Sequence, residues 1–100
     1  MFNVRIPPNV PNEMPFPVEV TEQNMQWITV GLSLLGAGGQ PIGAVFRNQD
    51  GEPITTVDLG PFGRVLVTCT EWSAEPGTTI TVVAYNTDQS AYASDTAMVL

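Results

Sequence analysis

The chain has no histidine, no lysine and one cysteine, Cys69. Without histidine there is no Ser-His-Asp or Cys-His catalysis. The usual zinc site is excluded as well, since one thiol cannot replace the missing ligands. A lone cysteine closes no internal disulfide, which fits folding in a reducing cytosol. Positive charge is equally scarce. Arg5, Arg47 and Arg64 stand against ten acidic residues, for a net charge of -7. So few cations cannot displace counterions from nucleic acid or dock on anionic lipid. The acids are scattered singly, as on a solvated surface. No apolar run is long enough to span a bilayer. Met1–Pro8 carries neither an apolar signal core nor a small-residue cleavage site, so no secretory signal is expected. With its starting Met, the chain reads as a complete small gene product.

What is present is β pattern. Hydrophobic residues make up 43% of the 100 residues, enough for one domain with a single core. The chain is organised around Arg64–Asn86, two β-branched arms separated by Pro76-Gly77. Alternation sends Val65, Val67 and Cys69 to one face of the first arm, and Ile80, Val82 and Ala84 to one face of the second. Cys69 is thus expected to be a buried, inert thiol.

Upstream, Phe2–Ile6 reads as a short strand that ends at Pro7-Pro8, and Val18–Thr21 as another. Met25–Leu35 alternates with Ile28, Val30, Leu32 and Leu34 on one side. Gly36–Pro41 is a turn and not a phosphate loop, because it lacks the Lys-Ser/Thr ending and a following helix. Ile42–Arg47, Ile54–Val57 and Tyr92–Leu100 complete the strands, with Asp50-Gly51 a hairpin signal. The total is about seven or eight short strands and no helix, the signature of a sandwich or small barrel. Asp50, Glu52 and Asp58 could in principle supply paired carboxylates, but they lie in turns, which account for them.

From Gly39 onward the pattern resembles a bacterial or phage immunoglobulin-like domain. The polar turn Gly39–Ala44 opens a strand, and Thr56–Gly63 leads into Arg64–Thr70. Gly77–Tyr85 and Ala93–Leu100 resemble the closing hairpin of such modules. The resemblance implies an all-β, immunoglobulin-like sandwich of antiparallel strands over residues 1–100, without enzymatic activity, cofactor or metal. Such domains decorate phage heads. The expected function is therefore a phage capsid decoration or accessory virion protein, made in the host cytoplasm and bound to capsid or other virion proteins or to copies of itself. The alternative is a bacterial cell-surface adhesion or carbohydrate-binding module.

Two groups of residues are candidates for partner binding. The proline-rich segment Met1–Pro17 is either the first strand of the sandwich or a stiff docking arm, in which Phe2, Val4, Arg5 and Ile6 would pair with a partner sheet. Trp27, Trp72 and Tyr85 fall on the outward phase of their strands and could form an aromatic contact patch.

Overall fold

A computed structural model describes residues 1–100. Ten strands follow in chain order: β1 Phe2–Arg5, β2 Asn9–Val10, β3 Phe16–Glu22, β4 Ile28–Leu35, β5 Val45–Arg47, β6 Pro53–Ile54, β7 Thr56–Leu59, β8 Arg64–Thr70, β9 Thr79–Asn86 and β10 Tyr92–Val99. One sheet has the order β1-β3-β8-β5-β6 and the other β2-β10-β9-β4-β7. The two enclose one apolar core.

The count exceeds the expected seven or eight for two reasons. The Ile54–Val57 stretch bends at Thr55, so β6 belongs to the first sheet and β7 to the second. The N-terminal segment also supplies two strands, not one. Pairing is antiparallel except for β2, which runs parallel to β10 through Met98↔Asn9 and Val99↔Val10.

The alternation read from the sequence sets the core. Val67 and Cys69 of β8, Ile80, Val82 and Ala84 of β9, and Val30, Leu32 and Leu34 of β4 are all buried. β3 extends the expected Val18–Thr21 in both directions and carries Pro17. The proline is tolerated because β1 ends opposite Glu19, leaving that stretch of β3 without a neighbour on one side.

Met1–Pro17 is not a free docking arm. Phe2, Val4, Val10 and Phe16 are buried in the core. β1 pairs with β3 in the first sheet, and after Pro7-Pro8 the chain crosses to join β10 in the second. The crossing is stitched on both sides. Ile6 N–H donates to Asp95 Oδ2 (2.9 Å), Met98 N–H to Pro8 O (2.8 Å) and Leu100 N–H to Val10 O (2.9 Å). The physical reason is the same period-2 pattern that places Phe2 and Val4 inward.

That pattern also forces a charge inside. Phe16, Val18 and Val20 point inward, and so does Glu22 at the strand's end. Its Oε1 accepts from the Met1 ammonium (2.9 Å) and from Asn24 N–H (3.0 Å), while Oε2 has no partner. Burial pushes the Glu22 carboxyl upward, but the ammonium and the backbone N–H groups outweigh it and leave the group below its ordinary value. A carboxyl depressed on folding stabilises the protein above its unfolded pKa, and that contribution is lost as pH falls through the folded value. Glu22→Gln should therefore lower the melting temperature at neutral pH and flatten its decline in acid. An unchanged acid limb in thermal melts would show that the pair carries no weight.

Cys69 is fully buried, and burial pushes its thiol up to about 12. Native protein should react slowly with a disulfide reagent and rapidly once unfolded. Cys69→Ser should cost about 1–3 kcal/mol in urea denaturation, for a hydroxyl buried without a partner.

Candidate binding surface

The start of β1, the β3–β4 loop, the β7–β8 loop and the β9–β10 loop meet at one end of the sandwich, as the strand directions require. Here the chain exposes large apolar side chains. Trp27 is 83% exposed, Met25 78%, and Met1 and Phe62 66% each. Singly these would mean little, but four at one end of a small domain form a patch.

The loops that carry them are tied together. Gln23 N–H donates to Met1 O (2.8 Å) and Phe62 N–H to Asn24 O (3.0 Å). The turn Gly60–Gly63 is closed by Gly63 N–H to Gly60 O (2.9 Å). Within it Phe62 takes a φ of 53°, a left-handed conformation that bulky residues avoid at a cost of about 1–3 kcal/mol. The turn holds the ring outward despite that cost. Trp27 lies over Gly60, where a Cβ would sit only 3.1–3.5 Å from the indole ring. A side chain at position 60 would push Trp27 away.

A second feature lies on the outer face of the second sheet. Tyr92 of β10 stands directly across from Tyr85 of β9, which stands across from Gly31 of β4. The Tyr85 ring lies down on Gly31. A Cβ there would meet Cζ, Cε2 and Oη at 2.5–2.7 Å. Beside the two rings is a depression of about 460 Å³ lined by Ser33, Val83, Tyr85, Gln89 and Tyr92.

The structure does not bring the expected site residues together. Phe2 and Val4 are core, and Ile6 is half-buried against it. Arg5 is exposed on the first sheet, opposite Glu19. Trp27 belongs to the loop-end patch, and Tyr85 is half-buried on the second sheet. The register places Tyr85 beside Gly31, about 13 Å further along the strand direction than Trp27.

Trp72 is 2% exposed and is no surface residue. Simple alternation from Val67 and Cys69 would send residue 71 inward and 72 outward. Glu71 instead takes a φ of 56°, which reverses the facing. Its carboxylate goes to solvent and meets Arg47 at 2.7 Å, and Trp72 turns in. There its Nε1–H donates to Met14 O (2.8 Å), and its ring meets Phe16 edge-on at 5.5 Å.

Sequence reasoning missed Met25, Phe62 and Tyr92. A bulky apolar residue between Pro61 and Gly63 was a legible sign of a ring displayed on a turn. Tyr92 gains its meaning only from the register with Tyr85.

Asn48 Oδ1 accepts from Asp50 N–H and Glu52 N–H (both 2.9 Å), which fixes their turn. Asp58 accepts from the Thr29 hydroxyl at 2.6 Å. No three Asp, Glu or Cys side chains are grouped to hold a metal.

No family model and no curated protein matches the chain. Solved structures do. A conjugative transposon lipoprotein from Bacteroides eggerthii is 10% identical over 95% of this chain and 92% of its own, with a TM-score of 0.52. The CARDB domain of a Pyrococcus furiosus protein is 14% identical over 99% of this chain and 92% of its own, with a TM-score of 0.54. A chain from the Salmonella enterica SafA pilin–SafB chaperone complex is 13% identical over 99% of this chain, with a TM-score of 0.61, and this chain spans 54% of it. At such identities the likeness concerns the fold, which is an immunoglobulin-like β-sandwich. These neighbours are a conjugative transposon lipoprotein, a CARDB domain and a pilin–chaperone complex, and none is described as a phage head protein. They overturn the expected capsid decoration function, and none of them supports a virion location.

The two tryptophans provide a direct check on this surface. Trp72→Ala should cost about 3–5 kcal/mol, as for a large ring lost from a core. Trp27→Ala should change stability by no more than about 0.5 kcal/mol. Urea denaturation of the two variants measures both, and equal losses would contradict the assignment.

Proposed function

We propose that this domain is a non-enzymatic adhesion or assembly module of a bacterial cell surface, which docks on a protein partner through its loop end. The observation that carries the reading is the patch of Met1, Met25, Trp27 and Phe62, displayed on loops fixed by backbone hydrogen bonds and, at Phe62, by a strained turn. Aromatic and Met side chains are enriched where proteins meet, and fixed ones lose little entropy on docking. Loops on a rigid sandwich are the usual place for such a surface. The surface location is supported by a fold neighbour described as a conjugative transposon lipoprotein, and assembly with another protein by the neighbour described as a pilin in complex with a chaperone.

Site-specific photo-crosslinking tests the reading. A benzoylphenylalanine placed at Phe62, in the protein expressed in its own host, should give a discrete protein adduct in the envelope fraction. The same probe at Leu66, which is exposed on the first sheet, should not. No adduct at position 62, or identical adducts at both, would contradict loop-end docking.

A further inference from the structure

The depression between Tyr85 and Tyr92 has the chemistry of a ligand site, and it shares no residue with the loop-end patch. The apolar Val83 and two aromatic rings line it, with Tyr92 74% exposed. Four polar groups border it: the Tyr85 and Tyr92 hydroxyls, the Ser33 hydroxyl and the Gln89 amide. None of them makes a side-chain hydrogen bond within the protein. An apolar lining with a few uncommitted polar groups is the general form of a small-ligand site.

Gln89 is held in place. The β9–β10 loop is closed by Gln89 N–H to Asn86 O (2.9 Å), Asn86 Nδ2 to Ser90 Oγ (3.0 Å), Ala91 N–H to Asn86 Oδ1 (3.0 Å) and Ser90 Oγ to Asp88 Oδ1 (2.7 Å). Gln89 itself sits at a φ of 58°, an uncommon conformation for a residue with a long side chain. The amide therefore projects from a rigid loop beside the tyrosines.

Charge selects the ligand. Arg5, Arg47 and Arg64 belong to β1, β5 and β8, all in the first sheet. The second sheet has no cation to meet a phosphate or carboxylate. Its own carboxylates are committed elsewhere, Asp58 to Thr29 and Asp95 to Ile6 N–H, and no acid lines the depression. What remains suits a neutral ring with an apolar C–H face to lie against aromatics and hydroxyls around its edge. We infer that the outer face of the second sheet binds a neutral saccharide, with Tyr85 and Tyr92 packing against the sugar ring and Ser33, Gln89 and the tyrosine hydroxyls taking its hydroxyl groups.

The test is a ¹H–¹⁵N NMR titration of the intact domain with maltohexaose, cellohexaose, chitohexaose and mannohexaose at millimolar concentration. At least one should give saturable shifts centred on the amides of Val83, Tyr85, Gln89 and Tyr92. Tyr92→Ala should weaken that binding about tenfold or more, the loss of one stacked ring. Gln89→Asn, which keeps a residue tolerant of the left-handed φ, should weaken it as well. Trp27→Ala and Phe62→Ala should leave it unchanged, so a failure of loop-end docking would not be mistaken for a failure here. The inference is overturned if none of the four sugars gives saturable shifts, if both site variants bind as the wild type does, or if inorganic phosphate shifts the same amides equally.

Discussion

The fold depends on the path of its first ten residues, which run in one sheet and then in the other. β1 adds to the first sheet, Pro7-Pro8 carries the chain across, and β2 adds to the second beside β10. The prolines suit this role, because a crossing segment between sheets has no ladder of its own to feed. The crossing joins the start of the chain to its last strand and brings Phe2, Val4 and Val10 into the shared core. The β1–β3 pairing, with Phe2 opposite Glu22, places the Met1 ammonium next to the inward-facing Glu22, so that the one buried carboxylate meets a positive charge. A buried carboxylate without a partner would carry a large desolvation penalty.

Much of this was legible in the sequence because strand alternation is a strict signal. The inward residues of β4, β8 and β9 follow directly from it. The N-terminal half was harder. Its dense prolines look like an extended arm, and nothing local says that β2 will pair in parallel with a strand nearly ninety residues later. Non-local pairing of that kind leaves no trace in a short window of sequence.

The surface was less legible than the core, again for physical reasons. A single left-handed residue reverses everything after it, and Glu71 did so for Trp72. Trp27 stays exposed, its ring lying over Gly60 on the neighbouring turn. The Tyr85–Tyr92 pair is created by register, with Gly31 leaving room for the Tyr85 ring, and no spacing in the sequence announces it. The consequence for function is that the binding surfaces moved. Burying the N-terminal segment removes it as an anchor and leaves the loop end and the outer face of the second sheet as the chemically distinctive exterior. In both, hydrogen bonds tie the loops that border the surface.

Native-state hydrogen exchange at the Met98 and Leu100 amides is the most direct test of the crossing. These groups donate to Pro8 and Val10, so they report on whether the N-terminal segment is part of the cooperative core. If it is, they open only with the whole protein, and their exchange free energy equals that from urea denaturation. Rapid exchange at both positions, with neighbouring β9 amides still protected, would mean that the segment detaches on its own and would contradict the account.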